Sequence, residues 1–186
     1  MKTPANMLRV LGPAAILVLA AVPSAAAGDV TDLAREAEGL LAADEPATAF
    51  DAMDAAVDAF WRAAPLIIED ARFDPEGDSA TFPPAARVGI HLRPLGYGFD
   101  ETDGNFRISL DTDVEIRSPG GLILARSEDF AKLEWTGPAR NRAFAARISI
   151  DMPNLKPGDY ELRLTVTDTV SQKTANITLP FSITVQ

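Results

Sequence analysis

Residues 106–117 (FRISLDTDVEIR) decide the fold class, because their side chains alternate strictly between two characters. Successive side chains of a β-strand point to opposite faces of the sheet, so this period of two predicts a strand with one buried and one wet face. The buried face is predicted to hold Phe106, Ile108, Leu110, Thr112, Val114 and Ile116, and the wet face Arg107, Ser109, Asp111, Asp113, Glu115 and Arg117. Residues 118–121 (SPGG) then predict a turn into a short strand at Leu122–Leu124.

The same alternation continues on both sides of this strand, with Gly and Pro between the runs. The clear runs are Arg87–Arg93, Phe144–Met152, Tyr160–Val166 and Thr174–Val185, and shorter ones lie near Leu66–Phe73 and Phe130–Trp135. Seven or eight short strands at such spacing predict an antiparallel two-sheet β-sandwich over residues 65–186.

The end of the chain makes this prediction more specific. Residues 156–162 (KPGDYEL), 166–168 (VTD), 173–174 (KT) and 180–183 (PFSI) resemble the last two strands of secreted bacterial immunoglobulin-like domains. The resemblance implies an immunoglobulin-like β-sandwich and brings no catalytic residues with it, since function depends on a site and not on a fold.

Residues 29–64 follow a helical period instead, in two runs separated by Asp44-Glu45-Pro46 and ended by Pro65. The apolar positions are Leu33, Ala37, Leu40 and Leu41 in the first run and Phe50, Met53, Val57, Phe60, Trp61 and Ala64 in the second. This helical hairpin resembles a single tetratricopeptide-type unit. One such unit cannot bury its own apolar face. We therefore expect the second run to pack on the chain's own sheet or on another subunit, which leaves a homodimer through the hairpin as an alternative.

The first 27 residues read as an export signal. Lys2 and Arg9 precede an apolar stretch, Val10–Val22, and small residues follow it. Thirteen residues are too few for a membrane-spanning helix, which needs about 20. We predict cleavage after Ala26 or Ala27, a periplasmic or secreted protein, and no stable membrane insertion afterwards; an uncleaved N-terminal anchor is the alternative.

The charge of the exported chain limits its partners. Residues 1–27 contain two basic and no acidic side chains, so the remainder carries 15 basic and 27 acidic ones, a net charge of −12. A protein that binds nucleic acid or an anionic membrane surface needs Lys and Arg side chains to contact the phosphate groups. The excess of acidic side chains therefore argues against both kinds of partner. The chain has no Cys, which excludes disulfides, thiolate metal sites and Cys nucleophiles.

Two acidic sets could hold a hard cation, but each has a simpler explanation. Asp51, Asp54 and Asp58 share a helix face, which we interpret as the solvated face opposite the apolar one. The three acids of residues 111–115 stand between Arg107 and Arg117, so we expect cross-strand ion pairs. The sequence therefore predicts neither a metal site nor a cofactor.

Catalytic motifs are missing from the sequence. His91 is the single histidine, and no G-x-S-x-G motif is present. We therefore expect a non-catalytic exported protein, a binding or structural module of the bacterial cell envelope that acts through protein contacts. The alternative is a carboxylate-dependent hydrolase of envelope or polysaccharide substrates.

Three places could bind an unknown protein or envelope partner. Tyr97 and Phe99, on a glycine-flexed stretch, form either an exposed binding lip or a continuation of the preceding strand into the core. Phe60 and Trp61 belong to the apolar face of the hairpin. Arg140 and Arg142 form a basic island that meets either an acidic partner or solvent.

Overall fold

The computed structural model describes residues 24–74 and 80–184. Two helices come first, α1 (Ser24–Ala42) and α2 (Pro46–Ala63), and they pack against each other as a hairpin. The sharp turn between them has Asp44 at a φ of 63°. The predicted hairpin of residues 29–64 is correct in kind, but α1 begins five residues earlier, at Ser24. The predicted cleavage point lies within the first turn of α1, and the rest of the predicted signal, residues 1–23, lies outside the described residues.

The remaining described residues form nine strands in two sheets. The strands are β1 (Ile67–Asp74), β2 (Thr81–Phe82), β3 (Arg87–Leu95), β4 (Asp100–Thr102), β5 (Asn105–Arg117), β6 (Ile123–Gly137), β7 (Ala146–Asp151), β8 (Gly158–Asp168) and β9 (Thr174–Ile183). One sheet has the strand order β1-β3-β7. The other has the order β2-β9-β8-β5-β4, and β6 pairs with the edge of β5 that faces away from β8. All pairs are antiparallel except the short β2–β9 pair. The predicted mainly-β sandwich with a two-helix hairpin is confirmed. The short strands β2 and β4, of two and three residues, were not predicted from the sequence.

The core lies between the sheets, and its members follow the predicted alternation. Ile90 and Leu92 of β3 face Ile108 and Leu110 of β5, and all four side chains are fully buried. Strand β8 adds Leu162, Leu164 and Val166, which are buried to the same extent. The period of two therefore identified the core residues of β3, β5 and β8.

Strand β6 differs from the prediction, which divided it into two short strands. It is one strand of 15 residues with a bulge opposite Thr112 and Val114. At the bulge Asp129 has a φ of 49°, and its N–H donates a 2.9 Å hydrogen bond to the Asp113 carboxylate. Between the paired positions, residues 128–130 of β6 lie opposite the single residue Asp113 of β5, and this irregular segment interrupts the alternating sequence pattern.

The predicted wet face of β5 is correct in charge but not in exposure. Ser109 and Glu115 of that face are buried, and Arg117 and Arg126 both pair with the Glu115 carboxylate. Burial alone would raise the pKa of Glu115, but hydrogen bonds and charge from Arg117, with help from Arg126, hold that pKa below its usual value. The expected cross-strand ion pairs are present as Glu115–Arg126 and as Asp111–Lys132 at 3.7 Å.

Candidate binding surface on the helical hairpin

Most of the apolar residues of α2 do not cover the sandwich. The buried side chains of the helix are the small Ala49 and Ala56. Phe50 remains 76% exposed and Phe60 50%, and Met53 and Val57 are exposed with them. We call Phe50, Met53, Val57 and Phe60 the apolar stripe. Within the described residues, the expected cover from the chain's own sheet is therefore not found, and the stripe is free to meet another molecule.

The apolar stripe borders a groove between the two helices, of about 710 Å³. Ala34 and Ala37 of α1 and Ala49 of α2 line it with small side chains, and Leu41, Phe50 and Met53 add large ones. We call this the hairpin groove. Leu41 is 63% exposed, so the groove and the apolar stripe together form one apolar surface. Patches of this kind on a protein surface mark binding sites for other molecules.

Trp61 is the residue of α2 that turns toward the sandwich. Its indole N–H donates a 2.7 Å hydrogen bond to the backbone carbonyl of Tyr97, on the segment that follows β3. Its ring also packs edge-on against the Tyr97 ring, with centroids 5.2 Å apart, and stacks on Phe99 at 6.5 Å. Trp61 and Phe60 are neighbours in sequence, yet Trp61 connects the hairpin to the sandwich and Phe60 is exposed.

Tyr97 is completely buried, so it cannot form the exposed binding lip considered from the sequence. Its hydroxyl donates to the backbone oxygen of Asn141 and accepts a 3.3 Å hydrogen bond from the Phe144 N–H. Burial raises the pKa of Tyr97 to about 12, against smaller lowering effects of the Phe144 hydrogen bond and of Arg142 and Arg93. Tyr97 is thus part of the core, and the half-buried Phe99 packs against both Tyr97 and Trp61.

Lys173, between β8 and β9, holds the end of α2. Its Nζ donates to the backbone oxygens of Arg62 at 2.8 Å, Ala64 at 2.7 Å and Gly96 at 2.8 Å. The last carbonyls of a helix have no partner within the helix, and a cation there also interacts favourably with the helix dipole. Burial lowers the pKa of Lys173, and nearby Asp168 opposes that effect.

The basic island meets acids of its own chain. Arg142 pairs with Asp58 of α2, and Arg140 lies 3.2 Å from the other oxygen of the same carboxylate. Arg140 also packs over the Phe106 ring, 4.5 Å from its centroid. The interpretation of Asp51, Asp54 and Asp58 as one solvated face is therefore wrong for Asp58, whose side chain is only 18% exposed.

The other titratable residues considered from the sequence do not converge on one place. His91 lies on β3, with its Nε2 3.7 Å from the Asp70 carboxylate of β1. Among the described residues, no group of three or more acidic or histidine side chains could hold a metal ion. The two helices in that part of the chain are also too short or too polar to cross a membrane.

The sequence did not predict that Asp58, Asn141 and Lys173 contribute to the contact between the helical hairpin and the sandwich. A local signal exists for Asp58, since it lies three residues before Trp61 and so on a neighbouring part of the same helix surface. Lys173 is 111 and 109 residues from the Arg62 and Ala64 carbonyls and 77 residues from that of Gly96, and no local pattern connects them.

No protein-family model and no curated protein matches the sequence. Solved structures with a similar sandwich include CopC from Methylosinus trichosporium OB3b, at 14% identity and a TM-score of 0.34, covering 63% of this chain and 92% of that one. A second is the PKD domain of an M14-like peptidase from a Thermoplasmatales archaeon, at 12% identity and a TM-score of 0.38, covering 66% of this chain and 98% of that one. A third is the CARDB domain of a Pyrococcus furiosus protein in complex with di-metal ions, at 13% identity and a TM-score of 0.33, covering 64% of this chain and 87% of that one. At these identities and TM-scores the similarity is one of general fold alone.

Proposed function

We propose that this chain is an exported, non-catalytic binding module of the bacterial cell envelope, and that it binds another protein through the apolar surface of its helical hairpin. The observation that carries the proposal is the exposure of the apolar stripe on a helix that is held in place. Phe50 and Phe60 face solvent, while Trp61 and Asp58 of the same helix are bound to the sandwich.

The energetics of exposed apolar side chains support a binding role. Burying a Phe, Met or Val side chain is worth about 1.5–3 kcal/mol, and binding at the apolar stripe would recover that for several side chains together. A fixed helix also loses little further conformational freedom when it binds. The contacts of Trp61 and Asp58 with the sandwich, and the hydrogen bonds of Lys173 to the end of α2, therefore favour a surface that recognises a partner without refolding.

The non-catalytic and exported parts of the proposal have separate support. The buried carboxylates near the candidate residues already have partners within the chain. Asp58 and Glu115 pair with arginines, and the completely buried Asp168 accepts hydrogen bonds from the Gly98 and Val170 N–H groups and the Ser171 hydroxyl. Arg117 and Arg126 hold the pKa of Glu115 below its usual value, so this carboxyl group is not suited to act as the general acid of a hydrolase. Export to the periplasm or the medium is supported by the amino-terminal sequence pattern.

A photo-crosslinking amino acid placed at Phe50 tests the function in cells. We expect ultraviolet light to link that variant to one discrete envelope protein, while the same amino acid at Leu122, an exposed apolar position on the sandwich, gives no such product. Fractionation of the same cells should find the protein in the periplasm or medium. Equal crosslinking at both positions, no crosslinking at Phe50, or retention in the cytoplasm would contradict the proposal.

A further inference from the structure

We infer that the hairpin groove binds an amphipathic α-helix whose polar face is basic, supplied by a partner protein; this inference rests on the proposed function and specifies its partner. The groove, the apolar stripe beside it and the charges around both lead to the same occupant.

The shape of the surface favours a helix over an extended peptide. Both walls of the hairpin groove are α-helices, whose backbone hydrogen bonds are made within each helix. An extended peptide would find few backbone partners there, whereas a helix satisfies its own N–H and C=O groups. The small side chains of Ala34, Ala37 and Ala49 leave room for a row of larger ones from a third helix.

The length of the apolar stripe sets the length of the bound helix. Phe50 and Phe60 are ten residues apart on α2, which corresponds to about 15 Å along the helix axis. An occupying helix would therefore make contact over about three turns, with apolar side chains at helical spacing on one face.

The net charge of the hairpin indicates which charge the polar face of the bound helix carries. Residues 28–64 contain nine acidic and two basic side chains, a net charge of −7. Arg35, one of the two basic residues, is paired with Asp32 at 2.8 Å. Arg35 and Glu38 both line the hairpin groove, so its wall carries one charge of each sign. The acidic excess lies on the residues around the groove, such as the exposed Asp51 beside Phe50. A partner with Lys and Arg beside its apolar face is attracted to this surface.

The same charge argues against two other occupants. A second copy of the hairpin would bring a second segment of net charge −7 beside the first, and like charges brought together at an interface are unfavourable. An anionic lipid surface is repelled for the same reason. A partner helix with a basic polar face has neither disadvantage.

Binding of designed peptides to the exported protein tests the inference. The probe is a fluorescent peptide of about 14 residues, with Leu at helical spacing on one face and Lys on the other. Its first control has Glu in place of every Lys, and its second has the Lys peptide's composition in scrambled order. We expect the Lys peptide to bind at least tenfold more tightly than either control and to gain helical circular dichroism when bound. We also expect binding to weaken as salt rises from about 0.05 M to 0.3 M.

Variants of the protein locate the binding site. The double substitution Phe50→Ser and Met53→Ser should weaken binding of the Lys peptide at least tenfold, while Leu122→Ser with Leu124→Ser, on exposed apolar residues of the sandwich, should leave it unchanged. Glu38→Gln with Asp51→Asn should weaken binding about threefold or more and reduce its salt dependence. Glu128→Gln with Glu134→Gln, also exposed acids, is the matched control.

Several results would overturn the inference. The first is equal binding of the Lys and Glu peptides, and the second is unchanged binding of the Lys peptide to the Phe50→Ser and Met53→Ser double variant. The third is no binding of the Lys peptide to the native protein. Phe50-dependent dimerisation in analytical ultracentrifugation would assign the surface to a second copy, and binding to phosphatidylcholine vesicles in place of the peptide would assign it to lipid. A crosslinked protein at Phe50 together with failure of the peptides would refute only the helical basic partner and leave the proposed function standing.

Discussion

The indole N–H of Trp61 donates a 2.7 Å hydrogen bond to the main-chain oxygen of Tyr97. This bond joins α2 to the segment after β3, and the edge-on contact of the two rings lies beside it. Tyr97 is itself fixed, since its hydroxyl is bonded on both sides and its ring is buried. Trp61 therefore connects the helical hairpin to a completely buried residue of the sandwich, and this contact helps to define the orientation of the apolar stripe.

Substitution of Trp61 should loosen the hairpin without unfolding the sandwich. Trp61→Phe removes the donor and should cost about 1 kcal/mol, and Trp61→Ala removes the ring as well and should cost about 3 kcal/mol. Amide hydrogen exchange should accelerate in α2 but not in β8. Trp135→Phe, at the other tryptophan, is the matched control and should leave exchange in α2 unchanged. Equal protection of α2 in Trp61→Ala and the native protein would show that Trp61 does not hold the hairpin.

Lys173→Met should release the end of α2. The variant keeps an apolar stem of similar length but loses the three hydrogen bonds to the carbonyls of Arg62, Ala64 and Gly96. Hydrogen bonds to a charged group are worth about 1.5–3 kcal/mol, and we expect a loss of about 2 kcal/mol in urea unfolding. Lys156→Met, at an exposed lysine, should change stability by less than about 0.5 kcal/mol. A loss in Lys156→Met as large as that in Lys173→Met would refute the role of the carbonyl contacts.

The sandwich could be predicted from the sequence because its signal is local. In β5, neighbouring residues such as Leu110 and Asp111 have opposite chemical character, and the sheet separates them onto opposite faces. The prediction failed where a long-range contact overrides that pattern. Glu115 has the polarity of a wet position but is buried, because Arg126 from β6 reaches its carboxylate.

The docking of the hairpin could not be predicted from periodicity. Phe60 and Trp61 are both large and apolar, so the helical pattern assigned them to one face. Which of them meets the sandwich depends on the path of the chain after Pro65 and on partners such as Tyr97 and Lys173. The basic island was recognised as a place for an acidic partner, but nothing local indicated that Asp58 of the same chain is that partner.

The ion pair between Asp58 and Arg142 should couple the hairpin to the sandwich energetically. Both side chains are mostly buried, with 18% and 27% exposed, so the pair is less screened than a surface pair. A double-mutant cycle with Asp58→Asn and Arg142→Gln should give a coupling energy of about 1–2 kcal/mol. The exposed pair Asp32–Arg35, at 76% and 67%, should give about 0.5 kcal/mol or less in the same cycle. Equal coupling in the two pairs would contradict the assignment.

Gly96 should tolerate no side chain, for a reason that Gly104 lacks. Both glycines have a positive φ, 78° and 73°, which costs other residues about 1–2 kcal/mol. A Cβ at Gly96 would also come within 2.3 Å of the Pro65 carbonyl oxygen, whereas at Gly104 nothing lies within 4 Å. Chemical denaturation should therefore show Gly96→Ala to be at least about 1 kcal/mol less stable than Gly104→Ala. Similar stability of the two variants would mean that the contact with Pro65 imposes no constraint.

Tyr97 should make the protein sensitive to alkaline pH. Burial raises its pKa from 10.0 to about 12 in the folded protein, so its contribution to the free energy of unfolding is complete below pH 10 and is lost as the pH rises towards 12. About 1 kcal/mol should be lost between pH 9 and pH 11, since one pKa unit corresponds to about 1.4 kcal/mol. In a Tyr160→Phe background, Tyr97 is the only tyrosine, and absorbance at about 295 nm then follows its ionisation. Adding Tyr97→Phe should abolish that absorbance change and flatten the decline in stability, because the group that titrates is gone. Ionisation near pH 10 in the folded protein, or an undiminished decline without Tyr97, would place the alkaline sensitivity elsewhere.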